Sequence, residues 1–262
     1  MSERGFVHTP AGGIHDRAAG AGPTVLLLHQ TPRSSDEYRD VIPILAREFR
    51  VIAMDTIGYG DSYQPPGPSS IEDYARGAVA LLDGLGVPTT HVVGHHTGAV
   101  IAIELAAAYP DRVTRLVLSA SPYVDAEDRE RRHTNPHRVD HVVPREDGSH
   151  LAALWQGRMA FYPKGRADLL TRFVLDALRA GEKVEEGHHA CSAYRMEDRL
   201  GLVRCPTLVV CGTDDPFSYP RMELVARHIP GSRAMAIPGG TVAMPDQMPE
   251  DFARAIRGFL RA

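Results

Sequence analysis

The chain has 262 residues, of which 43% are hydrophobic and 24% are charged, and its formal net charge is −4 at pH 7. This length and composition fit one large globular domain with enough apolar residues for a substantial core. The slightly acidic balance offers no basic surface to nucleic acid or to an anionic membrane, so we expect neither as a partner.

Short apolar segments alternate with segments of helical spacing along most of the chain. After an N-terminal antiparallel hairpin over 5–20, the predicted strands are 24–30, 49–55, 90–95, 113–120, 206–212 and 232–239. The predicted helices are 70–86, 99–109, 221–231 and 249–260. Continuous apolar strands separated by helices are typical of a doubly wound, mostly parallel α/β sheet, which binds ligands at the carboxyl ends of its strands.

The region 125–200 interrupts this alternation. It contains no clear strand pattern, and the stretches 148–162 and 166–183 have helical spacing, with Gly181 and Gly187 interpreted as helix stops. We therefore expect a helical cap formed by residues 125–200, inserted in a core formed by 1–124 and 201–262.

Cysteine usage and the N-terminus indicate the cellular setting. Cys191, Cys205 and Cys211 lack the paired spacing of a zinc site or of a disulfide framework, which suits a reducing compartment. The N-terminus has no apolar signal segment, and no run approaches the roughly 18 apolar residues that cross a bilayer. We expect a soluble, cytoplasmic protein, and the exposed face of a helix such as 249–260 leaves a homodimer open.

Three motifs together resemble the α/β-hydrolase superfamily, and the likeness covers nearly the whole chain. The segment "VVGHHTGAV" (92–100) joins a strand to a helix through two glycines spaced four apart, as does the nucleophile elbow of those enzymes. "VVCGTDDPF" matches their acid loop, and "PGGTVAMPDQMPEDFARAIRGFL" matches their histidine loop and last helix. The resemblance implies an α/β-hydrolase fold with an inserted helical cap.

The catalytic positions of the superfamily are only partly kept. The nucleophile position is His96, the position of the usual histidine is Val242, and the acid is retained as Asp215. A serine triad needs both a hydroxyl and an imidazole that takes its proton, so serine esterase chemistry is closed to this chain.

The oxyanion loop is also altered. The usual "HG" of the superfamily is here His29 followed by Gln30, whereas the backbone N–H groups of Thr31 and Thr97 match the two oxyanion donors. The anion-binding pair is therefore expected to persist where the serine–histidine pair does not.

His96 and Asp215 are the predicted catalytic pair. An imidazole at an elbow faces the pocket, and a neighbouring carboxylate would hold one ring nitrogen as a donor and leave the other as a base. The G-x-x-D spacing from Gly212 favours Asp215 over its neighbour Asp214. The neighbouring His95 is expected to pack inward, and a decayed site remains the alternative for His96.

Predicted substrate contacts come from the cap and from the loops around the elbow. The cap segment 185–200 contributes a polar cluster, and its alternative interpretation is a charged surface with scattered histidines. The predicted contacts are His29, Gln30, His188, His189, Tyr194 and Val242. The cap also contains His133, His137, His141 and His150, but clear metal-ligand spacing and partner thiolates are missing, so we expect no metal and no cofactor.

Three functions fit these residues. The first is a cofactor-independent enzyme that acts on a small carbonyl or ester compound, with His96 as general base or acid in hydrolase, lyase or isomerase chemistry. The second is a catalytically inactive binding protein for a small molecule. The third, a metal-dependent hydrolase that uses the cap histidines, ranks last.

Overall fold

The computed structural model describes residues 2–134, 140–141 and 143–262. His137 and the side chain of His133 lie outside the described part of the chain, so their predicted place in the cap is not addressed below. Within the described part, no helix combines the length and apolar character that crossing a bilayer requires.

Eight strands form one sheet in the order β1-β2-β4-β3-β5-β6-β7-β8. Strands β1 and β2 form the predicted antiparallel hairpin, β2 is antiparallel to β4, and all other neighbours are parallel. The strands are β1 (Glu3–Thr9), β2 (Gly12–Ala19), β3 (Thr24–Leu28), β4 (Arg50–Met54), β5 (Thr90–His95), β6 (Val113–Ser119), β7 (Thr207–Gly212) and β8 (Arg233–Ile237). The doubly wound α/β prediction is confirmed.

Ten α-helices are described, and they cover both faces of the sheet. They are α1 (Ile42–Leu45), α2 (Ile71–Gly84), α3 (Thr97–Ala108), α4 (Ala126–Thr134), α5 (Ser149–Met159), α6 (Ala167–Ala180), α7 (Glu186–Ala193), α8 (Met222–Arg227), α9 (Met244–Gln247) and α10 (Pro249–Arg261). Between β6 and β7, the described residues form helices α4 to α7 and no strand. The short helices α1, α4, α7 and α9 are additions to the elements predicted from the sequence.

The core lies on both faces of the sheet because strand side chains alternate between the faces. Leu26 and Leu28 pack with α2, α3 and the helices between β6 and β7, whereas Val25 and Leu27 pack with α1 and α10. Burial of each such side chain stabilises the fold by about 2 kcal/mol. Central strands buried on both faces therefore read as continuous apolar runs.

The prediction of Gly187 as a helix stop is wrong. Gly181 does end α6, with φ of 57°, but Gly187 lies in the first turn of α7. A Cβ at Gly187 would lie 1.9 Å from Oγ1 of Thr31, so the glycine permits close helix packing there. Helix α7 therefore packs directly on the loop that follows β3.

Candidate active site

The backbone between β5 and α3 forms a strained turn with His96 at its apex. His96 has φ of 47° and ψ of −113°, a conformation that non-glycine residues rarely adopt. A Cβ at Gly94 would lie 2.1 Å from the carbonyl oxygen of Gly98, and one at Gly98 would lie 2.0 Å from that of Leu28. Both glycines are therefore needed for the turn, which presents His96 at the carboxyl end of β5.

His96 contacts the carboxylate predicted to orient it. Nε2 of His96 lies 2.8 Å from Oδ2 of Asp215, and the two side chains are 14% and 0% exposed. The contact has the length of an ion pair, although its angle falls short of a regular hydrogen bond, since neither atom has a hydrogen-bond partner among the described residues. The structure thus brings together two residues that are far apart in the sequence.

Asp215 is fixed in its ionised form. Its Oδ1 accepts hydrogen bonds from the backbone N–H groups of Phe217 (2.9 Å) and Ser218 (3.0 Å). Burial on its own would raise the pKa of Asp215, but the His96 ring and these two N–H groups outweigh burial and lower that pKa below its usual value. Asp214, the competing residue, is exposed and accepts a bond from the Thr213 hydroxyl instead.

The remaining ring nitrogen of His96 is available for chemistry. Nε2 is buried against Asp215, whereas Nδ1 has no hydrogen-bond partner in the described ranges and is not buried. A carboxylate beside Nε2 favours the tautomer with the proton on Nε2, which leaves a lone pair on Nδ1. This nitrogen can accept a proton, and Asp215 would stabilise the imidazolium that results.

The two predicted oxyanion residues lie side by side. The backbone N–H of Thr31 points at Oγ1 of Thr97, at 3.4 Å. Thr97 is the first residue of α3, so its own N–H has no acceptor within the helix. The N–H groups at this helix N-terminus and in the loop after β3 can stabilise a negative oxygen.

His29 and Gln30, two of the predicted substrate contacts, are bonded to neighbouring groups of the protein. The ring of His29 contacts the carbonyl of Gln30 (2.8 Å) through Nδ1 and accepts from the N–H of Thr56 (2.9 Å) through Nε2. The Gln30 amide donates to Oε1 of Glu37 (2.6 Å) and to the carbonyl of Val242 (3.3 Å). Both side chains are buried and bonded to neighbouring groups, so they shape the loop, and their contact with a substrate stays a prediction.

Val242 takes part in the hydrogen bonds around the site through its backbone carbonyl. Its side chain, which replaces the usual histidine, has no polar group. Its carbonyl also accepts from Nε2 of His95 (2.9 Å), whose Nδ1 pairs with the hydroxyl of Ser119 (2.9 Å). Burial lowers the pKa of His95 to about 4, so the ring is neutral and donates through Nε2. His95 is fully buried and secures the loop around Val242.

Glu37 is a buried site residue that the sequence pattern did not reveal. It accepts from both the backbone N–H and the side-chain amide of Gln30, at 3.0 Å and 2.6 Å. Burial opposes its charge, but Arg33 and these donors lower its pKa below the usual value. The only available signal was a charged residue in the loop after a buried strand, which is too common to be diagnostic.

In the described part of the chain, none of the predicted contacts His188, His189 and Tyr194 is hydrogen-bonded to His96. The Tyr194 hydroxyl donates to Oε2 of Glu104 (2.7 Å), and Nε2 of His188 lies 3.1 Å from Oδ2 of Asp140. His189 and Tyr194 instead line a separate cavity of about 850 Å³ between the start of α2 and residues 182–199. The Tyr194 hydroxyl is bound within the protein, and the part of these residues in substrate binding stays a prediction.

The described residues contain one group of side chains close enough to share a metal ion: His15, Asp55 and Asp61. The atoms that could bind a metal ion already interact with other groups of the protein. Asp55 accepts from the N–H groups of Ser35 and Asp61 and contacts Nδ1 of His15, and Arg4 pairs with both His15 and Asp61. This group therefore fits a structural junction and not a cation site.

Comparisons with known proteins agree with the fold. A family model described as alpha/beta hydrolase fold matches residues 23–240. A fluoroacetate dehalogenase from Burkholderia sp is 29% identical over an alignment of 268 positions, which covers 92% of this chain and 88% of that protein. A hydrolase from Pseudomonas aeruginosa PA01 is 26% identical with a TM-score of 0.82 and covers 99% of both chains. A thermophilic esterase from Thermogutta terrifontis, with malate bound, is 27% identical with a TM-score of 0.79 and covers 99% of this chain and 98% of that chain.

Proposed function

The chain belongs to the alpha/beta hydrolase fold family, and from that premise we propose that it is a cofactor-independent enzyme for a small carbonyl or ester compound. His96 serves as general base and acid, and Asp215 orients it. The observation that supports this most strongly is the 2.8 Å contact between Nε2 of His96 and Oδ2 of Asp215, with Nδ1 left unbonded. The relatives are named as a dehalogenase, a hydrolase and an esterase, which favours hydrolysis.

The proposed hydrolysis begins with a water molecule beside Nδ1 of His96. The imidazole takes a proton from the water as its oxygen attacks the carbonyl carbon, and Asp215 stabilises the imidazolium. The N–H groups of Thr31 and Thr97 stabilise the resulting oxyanion. Its collapse breaks the bond to the leaving group, which receives the proton from His96.

The same arrangement also suits removal of a proton next to a carbonyl. Nδ1 of His96 would take the proton, and the Thr31 and Thr97 donors would hold the enolate, as lyase or isomerase chemistry requires. Exchange of α-protons into D2O, followed by NMR on a panel of small ketones and esters, separates this chemistry from hydrolysis. Exchange of α-protons for deuterium without any hydrolysis product would favour proton abstraction.

The direct test compares His96→Ala with His228→Ala, an exposed histidine outside the site. We expect His96→Ala to lower turnover of p-nitrophenyl acetate, or of the best ester or lactone in a panel, by about 100- to 10,000-fold, because the proton acceptor is lost. His228→Ala should retain wild-type rates, and a chelator should change neither. Full activity in His96→Ala would contradict the proposal.

A small-molecule binding protein is the second candidate. Two observations favour it: the Thr31 N–H is already directed at the Thr97 hydroxyl, and position 242 has no imidazole. Ligand binding without turnover in both assays, retained in His96→Ala, would identify this function.

A further inference from the structure

The Thr31 N–H is held by a short turn whose two ends are anchored separately. The N–H of Arg33 donates to the carbonyl of Gln30 at 2.8 Å, which closes a turn with Thr31 and Pro32 at its centre. Glu37 fixes the Gln30 end through two hydrogen bonds. The direction of the Thr31 N–H therefore depends on where Arg33 is held.

Arg33 is held by carboxylates from two distant parts of the chain. Its guanidinium is fully buried, and its Nε donates to Oδ2 of Asp176 on α6 at 2.8 Å. Its Nη1 pairs with Asp246 on α9, the helix that begins two residues after Val242. The hydroxyl of Ser34 donates to the other oxygen of Asp176 at 3.0 Å. Asp176 thus binds two successive residues of the oxyanion loop.

Electrostatics oppose the separation of Arg33 from Asp176. Removing one carboxylate partner from a buried guanidinium is costly, so Arg33 follows Asp176 if α6 shifts. Arg172, also on α6, reinforces the attachment through Asp246 (2.9 Å) and Asp36 (2.9 Å). Helix α6 and the oxyanion loop are therefore joined as one unit.

We propose that Arg33 is a positioning residue that transmits the placement of α6, through Asp176, to the Thr31 N–H. In this arrangement the helical segment between β6 and β7 sets the geometry of one oxyanion donor. The catalytic consequence rests on the proposed function, whereas the physical coupling does not.

The test uses Asp176→Asn, which removes the charge but keeps the shape, and Asp168→Asn as its control. Asp168 lies on the same helix in an exposed ion pair with Arg166 and makes no contact with Arg33. The first readout is the backbone amide signal of Thr31 in NMR spectra of ¹⁵N-labelled protein, which needs no substrate. The second is the pair of kcat and KM values for p-nitrophenyl acetate.

We expect the Thr31 signal to move in Asp176→Asn and to stay in place in Asp168→Asn. Misplacement of one oxyanion donor should lower kcat about 10- to 100-fold and change KM less than about twofold. Asp176→Glu restores the charge and should recover part of the loss. An unchanged Thr31 signal in both Asp176→Asn and Asp176→Glu would overturn the coupling, while a moved signal without any p-nitrophenyl acetate turnover would count against the proposed function alone.

Discussion

His95 and His96 are adjacent histidines in opposite environments. His95 is fully buried, both of its ring nitrogens are bonded, and burial lowers its pKa to about 4. His96 has an open nitrogen and a carboxylate neighbour, with its ring centroid 4.7 Å from that of His95 in an edge-on arrangement. His95 is the last residue of β5, and the chain turns at His96. The two adjacent side chains therefore point to opposite sides, as successive side chains of an extended strand do.

Asp246 counterbalances His95 in the pH dependence of stability. Burial raises the pKa of Asp246 to about 6, although Arg33 and Arg172 act to lower it. Its contribution to the free energy of unfolding is fully present below pH 3.8 and is lost as the pH rises through about 6. The contribution of His95 to the free energy of unfolding has the opposite pH dependence. Because its pKa is lowered, stability falls as the pH drops from about 6.5 to 4.

We predict that Asp246→Asn exposes the His95 contribution. Between pH 6.5 and pH 4, the free energy of unfolding of this variant should fall by about 2 to 3 kcal/mol more than that of the wild type, as denaturant titrations at several pH values would measure. Asp251→Asn, an exposed partner of Arg254, should follow the wild-type curve. Parallel curves for all three proteins would show that Asp246 does not titrate in this range.

The elbow is the element in which sequence pattern and structure agree most closely. The spacing of Gly94 and Gly98 predicted a strand–turn–helix, and each glycine proves to face a backbone carbonyl with no room for a Cβ. The backbone conformation of the turn therefore does not depend on the side chain at its apex. This explains how a histidine occupies a position associated with a nucleophile.

Gly98→Ala should accordingly destabilise the protein by at least about 3 kcal/mol, because the methyl group would collide with the Leu28 carbonyl. The matched control is Gly258→Ala, on an exposed position of α10 with open space around it. Removing that glycine from a helix should raise stability by about 0.5 to 1 kcal/mol. Equal unfolding midpoints for the two variants would refute this account of the elbow.

The strands and principal helices could be predicted because apolar runs and helical spacing are local properties of the sequence. The pairing of His96 with Asp215 followed from the motif positions of the resemblance. The partners of Gln30 and Tyr194 could not be predicted, since each is bound by groups whose position depends on loop geometry or distant packing. The same holds for Arg33, whose carboxylates are supplied by helices more than 140 residues away.

At the scale of the whole molecule, the fold is shared with the family, and the catalytic role of His96 and Asp215 is proposed. The sheet order, the elbow and the acid loop are those of the alpha/beta hydrolase fold family, which confirms the resemblance seen in the sequence. One fold supports many reactions, so the reaction has to be argued from the residues at the site. Here those residues are an imidazole and a carboxylate, and no serine stands at the elbow.

We predict that a fluorophosphonate probe leaves the protein unlabelled, because the probe needs a serine activated by a histidine. An ordinary serine esterase labelled in the same experiment serves as the positive control. Mass spectrometry of peptides after treatment would detect any adduct. A labelled serine in this chain would reveal a nucleophilic serine and contradict the proposed role of His96 as general base.

The central claim is that Asp215 holds Nε2 of His96 and leaves Nδ1 as a free base. The ¹⁵N chemical shifts of the imidazole ring report which nitrogen carries the proton, and His96→Gln assigns the signals. At alkaline pH we expect His96 as the tautomer with the proton on Nε2, and a shift of its signals in Asp215→Asn. A proton on Nδ1, or signals that are identical in Asp215→Asn, would contradict the claim.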